Sequence, residues 1–148
     1  MSSLKNEHQG ESGRRLIRRR LENGVFYYVL SDGSGKNSFL DDWLDDPRSK
    51  EKAKRLISTV LKITQNGLGW ATATRQVRRI SSELYEIKNF FGPARVIAHI
   101  HVVETIVMLR PFQGHSGTGS IPTSIIASAT RQQRLVVELL EQEKNDGN

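Results

Sequence analysis

Four basic side chains, Lys88, Arg95, His99 and Arg110, recur in the stretch LYEIKNFFGPARVIAHIHVVETIVMLRPF, whose other positions are dominated by Val, Ile, Tyr and Phe. Cations on a strand face suit one kind of ligand above others, a phosphodiester, whose charged oxygens take hydrogen bonds from Arg and Lys. Because a strand turns successive side chains to opposite sides, Glu86 and Lys88 share one face of the first run. In the second run Arg95, Ile97, His99 and His101 share a face, and in the third Ile106, Met108, Arg110 and Phe112 fall together. Lys88 and Arg95 flank the Asn89–Ala94 turn, so an antiparallel hairpin makes them neighbours and a two-cation clamp. On charge alone, the simpler reading of each is a solvated strand-face charge, with Lys88 paired to Glu86 or to a facing acid.

Other chemistry is less well supported. GSGK at Gly33–Lys36 lacks the first glycine and the Ser/Thr of a phosphate-binding P-loop and reads as a turn. GHSGTGS, from Gly114 to Ser120, lies between a strand and a helix, where backbone amides with Ser116 and Thr118 hydroxyls can hold an anion. A plain flexible loop fits it as well. His99 and His101 stand two apart, a spacing open to a metal, yet no cysteine supports one and no cofactor is expected. His115, beside the basic strand, is the candidate general acid or base, because an unperturbed imidazole titrates near neutrality, with a solvent-exposed bystander the alternative.

The elements that must position these residues follow from periodicity. Val25–Leu30 is an apolar, aromatic run between turn signals and reads as the first strand. Ser38 caps a short helix carrying Phe39, Leu40, Trp43 and Leu44, which Pro47 ends. Ala53, Leu56, Ile57, Val60 and Leu61 keep helical spacing in a second helix closed by Asn66-Gly67. Gln76–Ile80 is a weakly signalled strand, the three stronger strands follow, and Pro122–Lys144 is a long terminal helix. The expected fold is α+β, with a mainly antiparallel sheet of four to five strands, an N-terminal helical hairpin and a C-terminal helix.

At 148 residues the chain suits a single domain, expected over 25–144, between a basic, flexible arm at 1–24 and a disordered tail at 145–148. The arm carries RRLIRRR from Arg14, read as a helix extension, a phosphate-binding arm or a solvated tail. No apolar run is long enough to span a membrane, the N-terminus lacks the apolar core of a secretory signal, and cysteine is absent. A cytoplasmic location is expected. The net charge of +6 is unevenly spread: residues 1–24 and 71–112 each carry +3, whereas 113–148 carries −1. Such placement favours a polyanionic partner, nucleic acid foremost, over charge kept merely for solubility.

The pieces FLDDWLDD from Phe39, QNGLG from Gln65, LYEIK from Leu84, RVIAHI from Arg95, IVMLRPF from Ile106 and IPTSIIASA from Ile121 stand in a telling order. That order resembles the RelE/HigB-like type II toxins, including their phage-derived branch, across Val25 to Leu140. The resemblance implies a RelE-like fold and a toxin of a toxin–antitoxin system, a ribosome-dependent, metal-independent mRNA endoribonuclease. In such enzymes a ribose 2′-OH attacks the neighbouring phosphate, leaving a 2′,3′-cyclic phosphate and a 5′-OH. Lys88 matches the basic residue after "LYE" and Arg95 the arginine of the "RV" strand, both stabilising the phosphorane. His115 is placed as the acid or base, with Arg110, His99, Arg78, Arg79, Ser116 and Thr118 on RNA. The implied partners are mRNA, the ribosome and an antitoxin protein, oligomerising with the toxin, and no membrane. One departure stands out: the lysine-rich run of many relatives is replaced by QGHSGTGSIP, in which only Pro122 matches. The alternative is a non-catalytic nucleic-acid-binding or phage-related interaction protein on the same scaffold.

Overall fold

A computed structural model describes residues 13–101, 105–114 and 121–146. Its elements run β1 (Leu16–Arg20), β2 (Phe26–Leu30), α1 (Phe39–Asp45), α2 (Lys50–Asn66), α3 (Leu68–Ala73), β3 (Val77–Ser81), β4 (Leu84–Ile87), β5 (Ala94–Ile100), β6 (Ile106–Gln113) and α4 (Thr123–Asp146). The strands form one open sheet in the order β1-β2-β6-β5-β4-β3. Every neighbouring pair is antiparallel except β2 and β6, which run parallel through Tyr28↔Val107 and Val29↔Met108. The protein is thus α+β with a C-terminal helix, but its sheet is mixed and six-stranded rather than an antiparallel one of four to five. The helical hairpin is not N-terminal either, since the β1–β2 hairpin precedes it.

β1 is the element the sequence hides. Arg18, Arg19 and Arg20 are exposed, and only Ile17 and the following Leu21 are buried. An edge strand with one covered side needs no more apolar signal than that, and its arginines discourage pairing with another chain. The Arg18 guanidinium also sits 4.2 Å from the Phe26 ring centroid on β2. Residues 16–21 therefore belong to the sheet and its core, where the sequence suggests an arm. At the other end, α4 runs on to Asp146, two residues beyond the expected Lys144.

α1 begins with a capping box: Ser38 Oγ accepts from the Asp41 amide at 3.3 Å, and an Asp41 carboxylate oxygen accepts from the Ser38 amide at 3.1 Å. α2 lays Ala53, Leu56, Val60 and Ile63 on one face of the sheet, against Val96, Ala98, Ile100 and Met108 among others. α4 covers part of the opposite face, where Ala129, Val136 and Leu139 join Leu84, Ile97, Val107 and Leu109. None of the described helices is long and apolar enough to cross a membrane.

A β-bulge decides which way β6 points its functional residues. Ala98 pairs with Met108 but Ile97 pairs with Arg110, so Leu109 is the extra residue. Ile106 and Met108 consequently face α2, whereas Arg110 and Phe112 lie opposite Ile97 and Arg95, on the side of α4. The simple alternation that puts Ile106, Met108, Arg110 and Phe112 together fails at this point. Pro111 fits because β6 pairs with β2 only as far as Met108, so beyond it one edge of β6 needs no amide donor.

Candidate nucleic-acid interface

The α4 side of the sheet carries a row of charge near the β5–β6 bulge. Cross-strand register runs Arg78↔Glu86, Glu86↔Ile97 and Ile97↔Arg110. Arg95 stands opposite Phe112, and Lys88, one residue past the Ile87↔Val96 pair and beyond the end of β4, would fall opposite Arg95 if that register continued. On that register Arg78, Lys88, Arg95 and Arg110 share one face, with a single carboxylate among them.

That carboxylate organises the group. Glu86 has only 6 % of its side chain exposed, and it faces two guanidiniums: Arg78 Nε at 3.0 Å and Arg95 Nε at 3.7 Å. A buried carboxylate needs such partners, because losing its hydration is otherwise expensive. Arg95 is fixed further by Nη1, which donates to the Gly92 and Ala94 carbonyls, each at 2.9 Å. Of its five N–H donors, the two on Nη2 stay available to an outside acceptor among the described residues. Gly114 abuts this side chain: a Cβ there would lie 3.1 Å from Arg95 Cγ and 3.1 Å from the Pro93 carbonyl. With Glu86 taken by two arginines and not by Lys88, the four cations and one anion leave a net charge of +3. Such an array suits a polyanion's backbone.

The other residues singled out by sequence do not all join this face. Arg79 follows Arg78 on β3, so alternation sends it to the opposite side, where it is exposed. His99 shares the α4 side but is 3 % exposed, and its Nδ1 accepts from Gln133 Nε2 of α4 at 3.0 Å. Burial, ahead of neighbouring charges, pushes its pKa down, so the ring is a neutral structural group and not a phosphate ligand. His101 is exposed and pairs with Glu83. His115, Ser116 and Thr118 lie outside the described residues.

A cleft of about 370 Å³ opens where β2, β6 and α4 meet, with Arg110 in its wall beside Arg14, Ser31, Asp32, Ser128 and Gln132. Arg110 therefore belongs both to the basic row and to this cavity. Nothing in the sequence announces the cleft, which depends on the parallel β2–β6 pairing. Glu86 was legible as a neighbour of Lys88 by alternation, but not as the acid that two arginines share. No family model, curated protein or solved structure matches this chain. Function has to be read from this face and from the sequence pieces quoted above.

Proposed function

We propose that the protein is a toxin-like, metal-independent endoribonuclease that holds the backbone of single-stranded mRNA on the face bearing Arg78, Lys88, Arg95 and Arg110. The observation that carries this reading is the buried Glu86, which pairs with a half-exposed Arg78 and a mostly buried Arg95 and so holds both on one face. A preorganised guanidinium stabilises a phosphorane without reorganising as charge develops. Lys88, opposite Arg95 on a continued register, is the second cation the displacement needs as the 2′-oxygen attacks phosphorus and the 5′-oxygen leaves. His115 supplies or takes the proton in this proposal. Substrate would be presented in the ribosome, and an antitoxin would cover the same cations.

A second reading, a non-catalytic RNA-binding protein on this scaffold, is favoured by one feature. Both described imidazoles downstream of Lys88 are engaged, His99 under α4 and His101 with Glu83. Mapping 5′ ends on a translated mRNA, with and without ribosomes, separates the two. Cuts within the reading frame that require ribosomes and vanish in a folded Arg95→Ala variant support the enzyme. Absence of cuts by folded wild type removes cleavage and leaves binding.

A further inference from the structure

The β4–β5 turn carries an aromatic ring that the fold holds in the open. Phe91 keeps 37 % of its surface exposed, and the other large apolar residue so exposed among those described is Val137 on α4. Its neighbour Phe90 goes the opposite way. That ring is buried against Trp43 of α1, the ring centroids 6.5 Å apart, and anchors the turn in the core. Hydrogen bonds set the backbone on either side. The Asn89 side-chain amide donates to the Arg75 carbonyl at 2.6 Å, and the Ala94 amide donates to the Phe91 carbonyl at 3.0 Å. Asn89 and Gly92 take φ of +61° and +52°, the left-handed region that a tight reversal uses. Phe91 is thus presented by a braced turn.

A lone exposed apolar side chain is ordinary on a protein surface; the cations around Phe91 set it apart from Val137. The Arg55 guanidinium, reaching from α2, lies 5.6 Å from its ring centroid and pairs with Glu51 at 3.2 Å. Arg95 Nη1 donates at 2.9 Å to the carbonyl of Gly92, the residue after Phe91. The ring therefore stands between a cation of α2 and Arg95 of the basic row, at the end of the hairpin where the two sides of the sheet meet. A protein-docking patch would be wider, and Val137 belongs to the helix of the opposite side. Single-stranded nucleic acid is held by this combination, with phosphate on arginine and a base stacked on an aromatic face. We propose that Phe91 is a stacking platform for one base of the bound RNA, the base next to the phosphate held by Arg95, with Arg55 bracing the ring. The proposal rests on the RNA reading above and deepens it. It gives the strand a path, from the basic row over the β4–β5 turn toward α2. It also makes this contact tolerant of sequence, because every base has a π-face.

The test compares oligouridine with an abasic ribose-phosphate strand of the same length and charge. Both are titrated by fluorescence anisotropy against the full chain as wild type, Phe91→Leu and Phe91→Trp. Leucine keeps apolar bulk and removes the π-face, and circular dichroism checks that each variant folds. Wild type should bind oligouridine more tightly than the abasic strand. Phe91→Leu should weaken oligouridine binding about tenfold, the effect of one lost stack, and leave the abasic affinity unchanged. Phe91→Trp should match or exceed wild type on oligouridine. Equal weakening on both strands would mean that Phe91 acts through the fold or the phosphates. No weakening on either would leave the ring as a contact for a protein. Each of these overturns the proposal while the RNA reading stands, since the abasic strand still reports binding by the cations. If wild type binds neither strand, the RNA reading fails and the stacking platform falls with it.

Discussion

On the side covered by α1, α2 and α3, the sheet presents Val77, Ile87, Val96, Ala98, Ile100 and Met108, all of them buried. On the side crossed by α4, the same strands present Arg78, Glu86, Arg95, Ile97, His99 and Arg110. Two faces of one sheet thus follow different rules. The first is dry and apolar over its central strands, with Arg79 exposed only on the edge strand β3, and it fixes strand register because a one-residue slip would drive its apolar set into water. The second closes only partly, over a smaller apolar cluster, and among the described residues it leaves buried polar atoms of Arg110 and Gln132 without partners. A sheet held firmly from one side can carry charge on the other.

The comparison breaks most visibly through the core. Leu56, fully buried on α2, should cost about 2–5 kcal/mol as Leu56→Ala, by transfer and cavity terms together. Urea denaturation measures it, and a loss under about 1 kcal/mol would mean that this face is not the stabilising one. Glu86→Ala should cost less, about 1–3 kcal/mol, because it strands a half-exposed Arg78 and a more buried Arg95 without their acid. Were the variant as stable as wild type, Glu86 would not be organising the cations.

The smallest effect concerns pH. With its pKa lowered by burial, His99 stays neutral in the folded protein, while the unfolded ring takes up a proton near its ordinary value of about 6.5. Stability is therefore full above that pH and declines as pH falls through the window below it, toward the depressed folded pKa. His99→Gln should flatten this part of the profile; parallel curves for the two proteins between pH 7 and 5 would contradict it.

Much of the first face was legible in the sequence and less of the second, for physical reasons. Helical spacing from Ala53 to Leu61 and strand alternation around Val96–Ile100 come from burial on one side, which leaves a periodic trace. β1 left almost none, since Ile17 is the only strongly buried residue in LIRRR. The short α3, LGWATA, carries one buried residue, Ala71, too little for a periodic signal. The bulge at Leu109 and the parallel β2–β6 pairing are properties of register between distant segments, so the side on which Arg110 lies could not be counted from β6 alone. Lys88 and Arg95 can be read as hairpin neighbours because a hairpin is local, and the observed pairing runs up to Ile87↔Val96, one residue short of them. His99 was placed on its side correctly by alternation, but its cover, Gln133 of α4, comes from 34 residues away.

Arg78 and Arg79 give the most direct test of the central claim, that the α4 side of the sheet binds RNA phosphate. They are adjacent, identical in type, and turned to opposite faces of β3. The affinity of wild type, Arg78→Ala and Arg79→Ala for a short single-stranded RNA should be measured as a function of salt. Removal of a true phosphate contact reduces the slope of log affinity against log salt by about 0.7. The account predicts that reduction for Arg78→Ala and an unchanged slope for Arg79→Ala. Equal reductions in both would mean that RNA senses only the overall positive charge, and a larger reduction for Arg79→Ala would put the interface on the other face.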